Sequence, residues 1–449
     1  MKSWSAAALA QAAHVRLLAD PRADGGPKRI VIDSRAAGPG DLFVGLTGAN
    51  TDGGRFAADA LAAGAWGVLA ASAHLEPLVE GAGGALLAAE DPLVALGLLA
   101  RAWRRELAAK VVAITGSTGK TSTKDILAAL LAPTLSTVAS AQNRNTEIGL
   151  PLAILEAPAG TQALVLELAM RAPGQIAELT AICEPDVGVI VNVGPAHLER
   201  LGSVEAIAAA KAELIAGLRA GACAVLPASE RLLEPHLRED IEVIRFGDGG
   251  DVSVLEARGD GVAIALRGRR VVLEPGFRSV HLLEDLCAAL AASSALGVEV
   301  SDRQPLEVAF SALRGERLAL PGGVLVINDC YNANPMSMRA ALQELATTAT
   351  ARRVAVLGDM LELGRADEER YHRELGEQAS VAGVELLVTV GPRAAWAGDT
   401  FAGGEHVHAA DADGAVELLA KRLRPGDTVL VKGSRGVALE RVAERLAPG

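Results

Sequence analysis

From Lys110 onward the chain repeats one pattern, a short and nearly continuous apolar run, a turn, then apolar residues at helical spacing. Val111 to Ile114, Leu164 to Leu168, Val187 to Val193 and Cys223 to Leu226 are such runs. A strand covered by helices on both sides reads this way, so they predict a buried parallel sheet. Between Asp251 and Glu274 the period changes to two, with glycines at the turns, which predicts an antiparallel hairpin or meander. After Gly322 the strand–helix rhythm restarts at Val324 to Ile327, Val354 to Leu357, Leu386 to Val390 and Val429 to Val431, a second doubly wound unit. The first hundred or so residues hold strands at Arg29 to Ile32 and Trp66 to Ala70 and a helix at Phe56 to Ala63, a small α/β unit.

The 449 residues exceed what one core supports, and typical domain sizes give about three domains. The expected class is α/β: a small N-terminal α/β domain over 1–108, a central P-loop parallel-sheet domain over 109–320 and a C-terminal Rossmann-like domain over 321–449. Half the residues are hydrophobic but only 3% are aromatic, so Ala, Leu and Val must build the cores.

No apolar run reaches the roughly 18 residues of a membrane span and the N-terminus lacks a signal-peptide pattern, so a soluble, cytoplasmic protein is expected. Four scattered cysteines lack zinc-site spacing and read as small core residues. A net charge of -12 without a basic run argues against nucleic acid. Only eight of the 43 basic residues are lysines, so each retained lysine invites a chemical reason.

The strongest local signal is KVVAITGSTGKTSTKDILAALLAP, a strand, a glycine turn and a helix in the order a phosphate cradle needs. Gly116, Ser117, Thr118, Gly119, Lys120, Thr121 and Ser122 would surround an ATP triphosphate. Gly116 and Gly119 let the backbone approach, Lys120 reaches the β/γ-phosphates and the Thr121 hydroxyl ligates Mg²⁺. Lys124, one turn on, reads as a solvated helix position. Glu167, His197 and Lys211 follow on the next strands and helix. Alone, they read as a strand-ending carboxylate, a loop histidine and a solvated lysine. Together, a carboxylate and an imidazole near the C-terminal ends of strands could hold a metal ion against the γ-phosphate.

TGSTGKT, NVGPAHLERLGS and the lysine of AAAKAEL resemble the Mur ligase family, which builds the peptide stem of bacterial cell-wall precursors. The similarity extends to DSRAAGPGDLFVGLTG, NRNTEIGLPL, INDCYNANPMSMRAAL, VLGDMLELG and VKGSRG, and so spans the chain. Those segments resemble the branch that adds D-alanyl-D-alanine to UDP-N-acetylmuramoyl-tripeptide.

The resemblance implies an ATP- and Mg²⁺-dependent amide ligase, a monomer, working through an acyl phosphate. It implies Lys120, Lys211, His197 and Glu167 as catalytic, with Thr121, Glu167, His197 and a carbamylated Lys211 about the metal. Arg317, Asp329 and Asn332 would contact ATP. Ser34 and Arg35 would hold the uridine nucleotide, Asn143 and Asn145 would face the phosphate or sugar-nucleotide side, and Lys432, Ser434 and Arg435 would place the dipeptide. The last three also read as a tight strand-to-helix turn.

The chain departs from the family pattern at His281-Leu282-Leu283-Glu284-Asp285, where His-Asn and a second Asn are usual, at Gly54, where a His is common, and at Thr146 in place of an Asn. Rival readings are an amino-acid-adding Mur ligase or folylpolyglutamate synthase, whose Asp-Asn-Pro-Arg acceptor motif is absent, and, in another class, a non-catalytic ATP-binding scaffold or a kinase.

Overall fold

The computed structural model describes residues 4–21, 25–141 and 143–446. Three sheets follow one another along the chain. The N-terminal sheet has five strands, of which Arg29–Val31, Asp41–Val44, Gly67–Ala71 and Ala85–Ala89 run parallel and Arg16–Ala19 pairs antiparallel at one edge. The central sheet has ten strands, in which Lys110–Thr115 lies between Ala163–Glu167 and Val187–Ile190.

Alternation within the central strands is between two buried faces, as their unbroken apolar sequence requires. Val111, Ala113, Leu164 and Leu166 face one core, and Val112, Ile114 and Val165 face the other. The second core is closed by the helices Lys120–Leu131 and Val280–Ala295. The expected meander is present as Val252–Arg258, Gly261–Leu266 and Arg269–Glu274, paired antiparallel.

The helix Pro92–Leu107 joins the first two domains. Asp91 caps it by accepting from Leu93 N at 2.8 Å and Val94 N at 3.2 Å, and Pro92 costs nothing at a position whose N–H has no helical acceptor. Its Leu96 and Leu99 share one continuous core with Leu42, Leu69 and Leu87 of the first sheet and Leu164 and Leu166 of the second.

The C-terminal sheet is ordered Glu316–Leu320, Val324–Asn328, Thr428–Lys432, Arg353–Gly358, Leu386–Val390, Glu405–Ala409. Its two faces carry their own cores, with Val326 and Val431 on one and Ile327 and Leu430 on the other. Two features of this sheet go beyond the sequence reading. Glu316–Leu320 pairs antiparallel with Val324–Asn328 through the turn at Pro321–Gly323, so this sheet begins before residue 321. Glu405–Ala409 is also a strand, unread because its EHVHA sequence is polar, as an exposed edge strand can be.

Candidate active site

Gly119, at φ +74°, turns the chain from the strand Lys110–Thr115 into the helix Lys120–Leu131. That left-handed conformation favours glycine, and an added Cβ would stand 2.4 Å from Asp285 Oδ1. The helix's first N–H groups lack intrahelical acceptors and open the loop to an anion. Upstream, Asn192 braces the loop: its carboxamide oxygen accepts from Ser117 N at 3.1 Å and Thr118 N at 2.9 Å, and its nitrogen donates to Thr118 Oγ1 at 2.9 Å. Two loop N–H groups expected to face the phosphates are therefore committed to Asn192. The strand expected to run to Val193 ends at Ile190, before this brace.

Lys120 donates to Gly116 O at 2.8 Å, folding its amine back over the loop. Thr121 Oγ1 donates to Glu167 Oε2 at 2.7 Å, and Asn145 Nδ2 donates to Glu167 Oε1 at 2.9 Å. Burial alone would raise the Glu167 carboxyl, but the Lys120 charge, these hydrogen bonds and the Arg314 charge hold it below the usual carboxylate range. Burial lowers the Lys120 amine, against the pull of Glu167. Lys211, on the helix Val204–Gly217, is buried at 2% exposure, and burial together with the Lys120 charge pushes its amine well below the ordinary lysine range. It is not a solvated helix residue.

The donor set fits a small hard cation. Neighbouring ligands on an octahedron with Mg²⁺–oxygen distances of about 2.0–2.1 Å stand about 2.9 Å apart. The Thr121 and Glu167 oxygens, held 2.7 Å apart by their hydrogen bond, lie near the spacing that two such ligands would need. Burial favours the neutral form of the Lys211 amine, and that form reacts with carbon dioxide to give a carbamate, a further oxygen donor.

A cavity of about 1480 Å³ opens in front of the loop. Thr121, Glu167 and His197 line it from the central domain, and Asp329, Asn332 and Lys432 from the C-terminal one. The Phe277 and Phe310 rings, edge to face at 5.7 Å, give it an apolar wall that no sequence motif announced. Asp285 is buried beside Ser122 and Thr123, and its Oδ2 finds no partner among the described residues. Burial pushes its carboxyl up to about 8, against the pull of Ser122, Thr123 and Arg314.

Several residues lie elsewhere than the sequence suggested. Arg317 pairs with Glu344 at 3.2 Å, and the guanidinium that reaches Thr121 Oγ1, at 3.3 Å, belongs to Arg314. Arg314 stacks on the Tyr331 ring at 4.0 Å, and the Tyr331 hydroxyl donates to Asn143 Oδ1. Arg314 and Arg317 both line the larger cavity. Lys124 is buried and paired with Asp125 at 2.7 Å, and Asp125 accepts from Ser311 N, so this pair ties the helix to the hinge and is not solvated.

Lys432 is buried with its amine on Asp329, joining two residues that the sequence had divided between dipeptide and ATP. Ser434 Oγ accepts from Leu361 N at 2.9 Å, and Arg435 pairs with Glu440 at 3.1 Å. Both line a second cavity of about 420 Å³ with His197, Lys120 and Glu362. Ser34 and Arg35 line neither cavity. Arg35 is exposed and paired with Asp33 on the N-terminal domain. At Gly54 an added Cβ would meet the His74 ring at 2.4 Å, and His74 Nε2 lies 2.9 Å from Asp52 Oδ2. An imidazole thus returns to that place from position 74.

Residues 28–104 match the model described as "Mur ligase family, catalytic domain", 114–293 the Mur ligase middle domain and 313–435 the "Mur ligase, glutamate ligase domain". The chain is 37% identical to the UDP-N-acetylmuramoyl-tripeptide--D-alanyl-D-alanine ligase of Mycobacterium tuberculosis, over 93% of this chain and 91% of that one. Its fold is similar to crystal structures of MurF from Acinetobacter baumannii (TM-score 0.88, 29% identity, 99% and 98% of the two chains) and of the Thermotoga maritima MurF ligase in complex with ADP (TM-score 0.81, 32% identity, 93% and 96%).

Proposed function

The chain belongs to the Mur ligase family, and from that premise we propose that it joins D-alanyl-D-alanine to the tripeptide carboxylate of UDP-N-acetylmuramoyl-tripeptide with cleavage of ATP. The observation that carries this reading is the convergence of the Ser117–Thr121 loop, Glu167 and His197 on a cavity also walled by the C-terminal Asp329 and Lys432, with the buried Lys211 behind that lining and within electrostatic reach of Lys120. Phosphoryl transfer and an acceptor can share that space.

The tripeptide carboxylate attacks the γ-phosphorus, the bond to the ADP oxygen breaks, and an acyl phosphate results. The dipeptide amine then adds to the acyl carbon, and phosphate leaves from the tetrahedral intermediate. The first step brings two anions together, so its barrier is largely electrostatic. Lys120 and Arg314 supply positive charge at the loop, and the helix N-terminus adds its dipole. Thr121, Glu167, His197 and carbamylated Lys211 would hold Mg²⁺, which would supply further positive charge against the phosphates. Asn145 keeps Glu167 turned toward Thr121.

For ATP, the loop residues through Ser122 take the triphosphate, the Phe277–Phe310 wall takes the base, and Asp329 and Asn332 face the ribose, with Arg317 at the rim. Asn143 lies on the phosphate side. Ser34 and Arg35 hold the uridine nucleotide. Lys432 is buried on Asp329, whereas Arg435, although paired with Glu440, is exposed on the smaller cavity and takes the dipeptide carboxylate, and Ser434 supports its loop. Four buried free thiols suit a cytoplasmic setting.

The test is phosphate release from ATP with each substrate withheld in turn. Release should require both UDP-tripeptide and D-alanyl-D-alanine. ADP formed without dipeptide dependence would reject the ligase reading in favour of a kinase or ATPase.

A further inference from the structure

His197 and Glu362 meet across the boundary between the central and C-terminal domains. His197, at φ +61°, precedes the short helix Leu198–Leu201, and Glu362, at φ +64°, lies in the loop after the strand Arg353–Gly358. Left-handed backbone at a non-glycine residue is uncommon and persists where its surroundings enforce it. The two residues are joined twice, by the Glu362 carboxylate on His197 Nδ1 and by Glu199 N donating to Glu362 O at 3.2 Å.

The loop bearing Glu362 is anchored from its own side. Met360 N donates to the buried His372 Nε2 at 2.9 Å, Leu361 N donates to Ser434 Oγ at 2.9 Å, and Ser434 N returns to Asp359 O at 3.0 Å. The carboxylate is therefore presented by a fixed platform rather than a free side chain. On the other partner, no described residue bonds His197 Nε2, while His197 lines both the nucleotide-facing cavity and the smaller interdomain one.

We infer that Glu362 is a positioning residue: the C-terminal domain delivers its carboxylate to His197 Nδ1, fixing that ring with its proton on Nδ1 and its Nε2 lone pair toward the phosphate site. A ligating imidazole is commonly oriented through its other nitrogen, and loss of the orienting group costs roughly 10- to 100-fold in metal affinity or activity. Here the orienting group arrives from a different domain. The ring is aimed only when the domain carrying Arg435 and Lys432 sits on the one carrying the phosphate loop, so site assembly is coupled to docking of the acceptor domain. The inference rests on the proposed role of His197 as a ligand.

The experiment uses the full chain with ¹⁵N-labelled histidines, the His197 signals being identified by their absence in His197→Gln. At a pH where the ring is neutral, the parent should show the Nδ1–H tautomer. Glu362→Ala should shift the ring to the other tautomer or a mixture, and Glu362→Gln, whose amide oxygen still accepts from Nδ1–H, should keep it. In phosphate-release assays, Glu362→Ala should raise the half-activating Mg²⁺ concentration about tenfold or more, with Glu362→Gln within a few-fold of the parent. An unchanged tautomer in Glu362→Ala overturns the inference whatever the activity. A changed tautomer with unchanged Mg²⁺ activation overturns the ligand role of His197 and leaves the orienting contact established. Glu362→Gln behaving like Glu362→Ala in the tautomer measurement also overturns it.

Discussion

Burial against the Gly119 turn gives Asp285 a pH dependence that a single substitution isolates. Its carboxyl titrates near 8 in the folded chain against 3.8 ordinarily, so the folded state keeps a proton that the unfolded chain gives up. Stability contributed this way is present at low pH and is lost as pH rises from 3.8 to about 8. Asp285→Asn, neutral throughout, should remove that slope. Melting temperatures of parent and variant should diverge in the variant's favour as pH climbs through this window, and parallel curves would sink the idea. The other group of interest is Lys211, whose burial favours the neutral amine that carbamate formation needs. Lys211→Ala should lower turnover about a hundredfold, with partial recovery on adding acetate, which supplies the missing carboxylate. Normal activity without acetate would remove the carbamate from the mechanism. A guanidinium cannot form that carbamate, so Lys211→Arg should stay inactive with or without acetate.

Among the elements, the phosphate loop depends on a neighbouring strand end as much as on its own sequence. The Asn192 side chain makes three hydrogen bonds to Ser117 and Thr118, and Ser117 Oγ donates to Gly194 O at 2.9 Å. Asn192→Ala leaves Thr118 N without its acceptor, while Ser117 N keeps the Asn192 backbone carbonyl at 3.2 Å, at about 1–3 kcal/mol for a buried group that water does not reach. ADP affinity should fall roughly tenfold while the circular dichroism spectrum stays that of the parent. Unchanged affinity in a calorimetric titration would mean that the loop holds its shape unaided. The Lys124–Asp125 pair plays a comparable part for the hinge, because Asp125 accepts from Ser311 N.

For the molecule as a whole, the packing divides the three domains unequally. The N-terminal and central sheets share one apolar core through the helix Pro92–Leu107, whereas the C-terminal sheet has cores of its own. Separating the first two would expose leucines from both sheets. The C-terminal domain is instead attached near the site by polar contacts, Tyr331 to Asn143, Asn334 Nδ2 to Ser117 O and Glu362 to His197. Domain motion should therefore be that of the C-terminal domain against the other two as one body. Small-angle scattering should report a smaller radius of gyration with a non-hydrolysable ATP analogue and UDP-tripeptide than without. Superimposable curves would rule out ligand-driven closure. Hydrogen exchange should slow at residues 359–364 and 331–334 and remain unchanged along 92–107.

Strand-by-strand apolar runs, the meander after Asp251 and the loop at Gly116 to Thr121 were legible in the sequence because each is governed by neighbours a few residues apart. Periodicity fixes which faces are buried, and glycine spacing fixes where the backbone turns. Arg314 rather than Arg317 beside Thr121, Lys124 buried rather than solvated, Lys432 on Asp329 and Glu362 on His197 were not legible. Each depends on where a side chain's partner stands after residues far apart in the chain have packed, 193 positions apart for Arg314 and Thr121 and 165 for His197 and Glu362. The strand Glu405–Ala409 escaped for a related reason, since its pairing to Leu386–Val390 and not its own polar sequence makes it a strand. Local pattern thus determined the fold class and the phosphate-binding chemistry of the chain. Tertiary packing decided which charges meet at the site, because an ion pair is set by distances in space that no local spacing encodes.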